Sequence, residues 1–250
     1  MVSPSPSSPV RRRFDVCIRG AGVVGQTLAL LLARERLKVA LVGAPPAAGA
    51  TPDVRAYALN ATARSLLQSL RVWPDAITAE TLPSVTAVTR MEVHGDDGGH
   101  LDFSADSQGV HALTWIVDVP ALEKRLADAI GFQGSIEHVS EPVPATLTVI
   151  CEGKRSRSRD ELGLEFDVRP YPHKAIAARL RTERPHGGVA RQWFTRGEIL
   201  ALLPLDGEQG NSVALVWSVP EQQSDQWQSA DPQSLVQALQ ERCGAALGEM

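Results

Sequence analysis

Phe14-Asp-Val-Cys-Ile-Arg19, then Gly20-Ala-Gly22-Val-Val-Gly25, then Gln26 through Arg36, then Lys38-Val-Ala-Leu-Val42 make one continuous stretch. Its reading decides the fold. Phe14–Arg19 alternates and is rich in β-formers, which predicts a strand. Val23–Arg36 carries Leu28, Leu31 and Leu32 and a charged end, which predicts a helix. Lys38–Val42 is a short apolar run of the kind found in buried parallel strands. The three make a strand–turn–helix–strand unit whose strands run parallel, joined by a right-handed crossover. The turn has the spacing Gly-x-Gly-x-x-Gly. In this context Gly20 permits the tight turn, Gly22 allows close approach of a pyrophosphate, and Gly25 lets helix and strand pack. The free N–H groups and dipole at the helix start then face an anion. A glycine-rich turn that binds nothing is the alternative. One element is missing: the carboxylate that would accept hydrogen bonds from a ribose at the end of the second strand. Gly43 stands there, Asp53 lies a loop away, and no Arg suited to a 2′-phosphate intervenes between Val42 and Arg55.

Outward from this unit, Met1–Val10 is Ser/Pro-rich, and the reading is a disordered tail over 1–13. Residues 44–52 read as a loop, and Asn60–Leu70 as a helix capped by Asn60 or Thr62. Val85–His94 reads as a strand, turning at Asp96–Gly99 into Leu101–Phe103. Thr114–Val117 is a short strand, and Asp118 caps a helix with Pro120 in its first turn and Leu122, Leu126 and Ile130 behind it. Leu147–Cys151 is another apolar strand. From there the texture changes: Lys174–Leu180, Val189–Phe194, Ile199–Leu205 and Ser212–Val219 read as an antiparallel sheet, closed by a helix over Pro232–Leu247. The fold class is α/β, a Rossmann-like nucleotide-binding unit with a β-rich region.

The 250 residues contain 43% apolar and 22% charged side chains and carry a net charge of −4. That composition excludes wholesale disorder and a global basic footprint for nucleic acid. Cys17, Cys151 and Cys243 are widely spaced, which speaks against a disulfide scaffold or a structural zinc site; no metal site is expected. The uncharged run Gly20–Ala33 is too short to span a bilayer. Arg11-Arg12-Arg13 superficially resembles a twin-arginine export signal, but Arg19 interrupts the apolar stretch behind it.

Several ordered motifs point to a family. Asp53-Val-Arg55-Ala-Tyr57-Ala-Leu59, followed by Leu66, Leu70 and Val72-Trp73, resembles a segment of the ubiquinone-biosynthesis aromatic hydroxylases. These are class A flavoprotein monooxygenases with the para-hydroxybenzoate hydroxylase-like fold. Trp115–Leu126 is similar to the family's next strand and helix, and Cys151-Glu152-Gly153 through Ser156 and Arg159 to its Ala-Asp-Gly motif, with Glu in place of Asp. Tyr171-Pro-His173-Lys-Ala-Ile176, Phe194, Leu200–Leu205 and Val216-Trp217-Ser218 resemble its central sheet.

The resemblance implies FAD along the glycine turn and NADH or NADPH as co-substrate without a second fingerprint. It implies O2 and a polyprenyl-phenol as substrates, a ring hydroxylated in ubiquinone biosynthesis, and no catalytic side-chain triad, because the flavin carries the chemistry. The implied cofactor-binding residues are Gly20, Gly22, Gly25, Arg55, Glu152, Gly153 and Arg159. Tyr171, His173 and Pro204 would line the substrate. For each a plainer role stands beside this one: a surface salt bridge for Arg55, a turn carboxylate for Glu152, a solvated face for Arg159, packing for Tyr171 and His173. Asp118 reads better as a helix cap than as a cofactor contact. The implied domains are 14–165 for FAD, with β insertions near 85–117, and 166–250 for the substrate sheet.

The excursion between the Asp118 helix and Leu147 is short for the family, and the family's later Gly-Asp-Ala segment, which completes the flavin site, has no counterpart. The expectation is a chain lacking that C-terminal part. Two other functions stay open: a noncatalytic relative serving as a binding or assembly component, and an NAD(P) dehydrogenase, against which Gly43 and the β-rich second half argue. Other ubiquinone-biosynthesis proteins are candidate partners, nucleic acid is not, and the expected location is the cytoplasm, with at most peripheral contact with the inner membrane.

Overall fold

A computed structural model describes residues 14–43, 53–74, 83–195, 197–207 and 209–250. The tail over 1–13 and the loop over 44–52 lie outside the described residues. The chain runs through β1 (Phe14–Arg19), α1 (Val23–Arg34), β2 (Val39–Val42), β3 (Ala56–Leu59) and α2 (Ala61–Ser69). It continues through β4 (Val85–Val88), β5 (Arg90–His94), β6 (His100–Ser104), β7 (Thr114–Asp118), α3 (Val119–Gly131), β8 (Ile136–Val139), β9 (Ala145–Ile150) and α4 (Arg157–Glu161). Then come β10 (His173–Arg181), β11 (Val189–Thr195), β12 (Glu198–Leu205), β13 (Ser212–Pro220), α5 (Glu221–Gln228) and α6 (Pro232–Cys243). Two compact units share these elements: Met1–Ala50 with Leu126–Phe166, and Thr51–Arg125 with Asp167–Met250.

The first unit is built on a four-stranded sheet, β8-β2-β1-β9, with every pair parallel. The expected strand–helix–strand unit is present, with Val16 opposite Val39 and Ile18 opposite Leu41. Cys17, Ile18, Val39, Ala40 and Leu41 are wholly buried, as continuous apolar parallel strands require. On α1, Gly25, Gln26, Ala29, Leu30 and Ala33 are buried, a spacing that gives the helix one inward stripe. In chain order the sheet reads third, second, first, fourth. The order therefore reverses between β1 and β9, and in open α/β sheets ligands bind outside the carboxyl ends of strands at such a reversal.

The second unit holds a six-stranded sheet, β10-β13-β12-β11-β5-β6, and a three-stranded sheet, β3-β7-β4. The antiparallel run expected of the last four strands is observed, and β11 then continues in parallel onto β5. One face of the large sheet packs Ile176, Trp193, Leu200, Leu202, Leu215 and Trp217 against Leu239 and Cys243 of α6.

Three sequence readings need correction. Val85–His94 is two strands in two sheets, because the backbone at Thr89 turns to other partners: its N–H donates to Gly188 O at 3.0 Å and its carbonyl accepts from Ala105 N at 2.8 Å. The last helix stops at Cys243, where Gly244 takes φ +60. Four short elements, β3, β8, α4 and α5, go unannounced by apolar periodicity. The caps fare better. Asn60 Oδ1 accepts from Ala63 N at 2.9 Å, and Asp118 Oδ1 accepts from Ala121 N at 2.9 Å.

Candidate functional site

In the first unit, the carboxyl ends of β2, β1 and β9 are stitched together. Cys151 N donates to Arg19 O at 2.7 Å, and Gly20 N donates to Val42 O at 3.0 Å. Gly20 turns at φ +112, and a Cβ there would run into the Cys151 carbonyl. A Cβ on Gly25 would run into the Gly20 carbonyl. Both glycines are thus demanded by the closeness of turn, helix and β9. Gly22 differs: it is the N-cap of α1 in ordinary extended backbone, and a Cβ there would meet nothing within 4 Å. Among the described residues no side chain caps α1, and no acidic residue stands in its first turn. The open position and its unclaimed N–H groups form a cradle suited to a phosphate.

Gln26, 8% exposed, ties the turn from behind. Its Nε2 donates to Ala21 O at 2.8 Å, while its buried Oε1 has no partner among the described residues. Gly43 occupies the end of β2, where a Cβ would lie 2.5 Å from the Ala21 Cβ. The missing ribose carboxylate therefore has a steric cause, since Ala21 fills the space its side chain would need.

Glu152 follows β9 immediately. Its Oε2 accepts from the Ser156 hydroxyl at 2.6 Å and from Ser158 N at 2.9 Å. Its Oε1 stands 3.4 Å from Arg19 Nε, and Arg19 also reaches Glu161 at 3.0 Å. The Ser156 hydrogen bond above all, then the Ser158 N–H and the Arg19 charge, hold the carboxyl down at about 2. Both oxygens are committed to the chain, so Glu152 shapes the loop from Gly153, at φ +69, into α4. Arg159 packs its guanidinium over Phe166 at 5.0 Å and reaches Lys154 O at 3.3 Å and Asp160 at 3.5 Å. Gly20, Gly22, Gly25, Glu152 and Gly153 are thus gathered at the ends of β1 and β9. The Arg19–Glu152–Glu161 network was not anticipated; its one sequence signal is a charged residue closing an otherwise apolar strand.

In the second unit, Arg55 is clamped by Asp53: Nε lies 2.9 Å from Oδ1 and Nη2 lies 2.6 Å from Oδ2. Nη1 reaches the Tyr57 hydroxyl at 3.3 Å and Nη2 lies 3.6 Å from Glu123. Asp53 is held below the usual carboxylate range by that pairing. The Arg55 backbone is fixed separately, by Val119 N donating to its carbonyl at 3.3 Å. Arg179 adds a hydrogen bond to the same carbonyl at 3.4 Å while pairing with Asp118. Tyr171 and His173 meet in one cavity of about 520 Å³, lined also by Phe194, Thr195, Ile199 and Ser218. Pro204 stands apart from that cavity, buried in β12 opposite Val213. Among the described residues no cluster of metal-ligating side chains occurs, and the three cysteines are free. No helix there is long and apolar enough to cross a membrane.

No protein-family model matches the chain. It is 28% identical over 247 aligned positions to ubiquinone hydroxylase UbiL of Rhodospirillum rubrum, covering 86% of this chain and 55% of that protein. It is 26% identical to the mitochondrial ubiquinone biosynthesis monooxygenase COQ6 of Drosophila melanogaster, covering 95% and 56%. An uncharacterized Synechocystis protein, slr1300, is 25% identical over 95% of this chain and 61% of its own. The chain therefore spans somewhat over half the length of these curated relatives. Among solved structures, PqsL of Pseudomonas aeruginosa, described as "a probable FAD-dependent monooxygenase", superposes with a TM-score of 0.73 at 18% identity, covering 92% of this chain and 67% of PqsL. The p-nitrophenol 4-monooxygenase PnpA of Pseudomonas putida gives 0.69 at 14% identity, covering 94% and 63%. The resemblance read from the Asp53–Trp73 and Cys151–Arg159 motifs is borne out by the ubiquinone hydroxylases among the relatives. The α/β fold with a Rossmann-like unit is shared with these two solved structures.

Proposed function

We propose that this chain, similar along its length to ubiquinone hydroxylases, works as an FAD- and NAD(P)H-dependent monooxygenase that hydroxylates a polyprenyl-phenol ring in ubiquinone biosynthesis. The observation that carries the reading is the glycine turn laid against the end of β9, where the parallel sheet reverses its order. The cradle fits the phosphates of a dinucleotide: Gly22 is open, the α1 N–H groups are unclaimed, and the turn is held rigid from behind by Gln26. In this reading Gly20, Gly22 and Gly25 hold FAD, Glu152 and Gly153 shape the adjoining loop, and Arg55 and Arg159 supply fixed guanidinium charge for phosphate or for a flavin anion. Bound FAD supplies the redox and oxygen chemistry; the chain's residues bind it, orient the ring to be oxidised and keep water out. Tyr171 and His173 line the phenol cavity in this reading, and Pro204 stiffens the strand beside it. NADH or NADPH is the proposed reductant. Other ubiquinone-biosynthesis proteins are the proposed partners, in the cytoplasm or at the inner membrane surface.

The test is a visible absorption spectrum of the purified chain before and after FAD addition and desalting, followed by NAD(P)H oxidation with and without a phenol. Retained flavin and phenol-stimulated oxidation are expected; a chain that stays colourless would overturn the reading. Gly43 favours a second one. With no room for a ribose carboxylate beside Ala21, a relative that binds weakly and serves as an assembly component is supported if partner proteins co-purify while flavin does not.

A further inference from the structure

His173 opens β10 and lines the cavity with Tyr171, Phe194, Thr195, Ile199 and Ser218. Its Nε2 lies 2.9 Å from the Gly197 carbonyl. A carbonyl only accepts, so Nε2 carries the hydrogen and the neutral ring has its lone pair on Nδ1. Among the described residues Nδ1 has no hydrogen-bond partner. Among the described residues, the charged groups beside it are already occupied. Glu198 Oε2 accepts from Arg242 Nε at 2.7 Å and from the Trp217 indole N–H at 3.1 Å. Lys174 pairs with Glu221 at 3.4 Å, and Glu221 N is bound to Pro172 O at 3.0 Å. Tyr171, 85% exposed, presents its ring at the rim. The site is an aromatic and aliphatic cavity holding one imidazole with an unclaimed basic nitrogen, anchored from its far side.

A phenol is the ligand class this combination suits. Its ring packs against Phe194, Tyr171 and Ile199, and its hydroxyl needs a base. Ring oxidation by an electrophilic oxygen proceeds faster on the electron-rich phenolate than on the phenol, so removal of that proton prepares the ring. We propose that His173 accepts the hydroxyl proton of a phenol bound in this cavity. The phenol O–H bond breaks, an Nδ1–H bond forms, and a phenolate faces an imidazolium whose Nε2–H still rests on Gly197 O. No other reactant is required, and the Gly197 carbonyl steadies the charged ring. The assignment rests on the hydroxylase reading, but its test does not need bound flavin.

The probe is 4-nitrophenol, whose phenolate absorbs separately from its phenol. It is titrated against the wild-type chain and against His173→Gln, whose amide still donates to Gly197 O but has no basic nitrogen. His173 is exposed at the surface, so the variant folds, which circular dichroism checks. In the wild type the bound probe ionises at lower pH than the free probe, by about one unit, or roughly a tenfold larger phenolate-to-phenol ratio. His173→Gln binds the neutral probe within about threefold and loses that enrichment. Equal ionisation in the two proteins, or failure of the wild-type chain to bind the probe, would overturn the assignment. Absent flavin retention would instead defeat the FAD reading and leave this measurement interpretable.

Discussion

Replacing Glu152 by Gln tests how the loop beside the glycine turn is held. The amide oxygen still accepts one hydrogen bond, but the charge facing Arg19 and the strong acceptor for Ser156 are lost. The carboxyl is held at about 2 against an ordinary 4.5. A difference of about 2.5 units corresponds to about 3.4 kcal/mol as a ceiling. The carboxylate is 18% exposed, and Glu161, which shares Arg19 with it, is 58% exposed. Solvent screening therefore brings the expected loss to about 1–2 kcal/mol at neutral pH. The sign follows from the depressed folded value. The contribution is complete above the unfolded value of 4.5 and disappears as pH falls toward about 2, with half gone near pH ~3.2. Urea denaturation of wild type and Glu152→Gln, repeated from neutral pH downward, should show curves that converge as acid is added. A stability difference that stays constant down to pH ~3.5 would refute the charge argument and make the loss one of hydrogen-bond geometry alone.

Gly25→Ala should cost about 3 kcal/mol or more, because its methyl meets the Gly20 backbone carbonyl, whereas Gly22→Ala should cost at most about 1 kcal/mol yet abolish flavin retention. Thermal melts and desalted absorption spectra separate the two, and a Gly22→Ala chain that keeps its flavin would contradict the cradle. His186 is 1% exposed, accepts from Gly188 N at its Nδ1 (3.1 Å), and donates from Nε2 to Leu205 O at 2.7 Å. Burial pushes its pKa down, so the unfolded chain takes up a proton below the ordinary 6.5 that the folded chain resists. Stability should fall as pH drops below about 6.5, and His186→Ala should flatten that slope while costing about 2–4 kcal/mol for two stranded backbone groups; an unchanged slope in denaturation series would exclude the histidine as its source.

What the sequence made legible were features whose causes are local. The Gly20–Gly25 spacing, the apolar runs of β1 and β2 and the Asn60 and Asp118 caps each act within a few residues, so their pattern can be read before any fold is known. The break at Thr89 could not be read, because no Gly or Pro interrupts Val85 to His94 and the partners that divide it, Gly188 and Ala105, are distant in the chain. The parallel pairing of β11 with β5 has the same character. Helix α5, Glu221–Gln228, is polar throughout except for Trp227. Its position depends on Glu221 N reaching Pro172 O and on Trp227 packing against Trp217 at 4.9 Å, neither of which leaves a periodic trace. Charged partners were hidden for the same reason: Asp118 reads singly as a helix cap, and nothing near it in the sequence announces its pairing with Arg179, nor that of Glu198 with Arg242.

The three turn glycines show where packing ceases to explain the sequence. Gly20 and Gly25 are forced by backbone carbonyls that leave no space for a methyl; a protein with no ligand would need them just as much. Gly22 has ordinary backbone angles and open space. Elsewhere the chain closes its helix starts. Asn60, Asp118, Ser156 and Asp231 each accept from a first-turn N–H, and the start of α5 is tied to Pro172. A Ser or Asp at position 22 would be the stabilising choice for α1 if folding alone set it, by roughly a few tenths of a kcal/mol over Gly. A carboxylate or hydroxyl there would also occupy the N–H groups and repel or displace an anion. The residue that contributes least to the fold is thus the one the cradle needs bare, which is why Gly22, rather than its two neighbours, bears the functional reading.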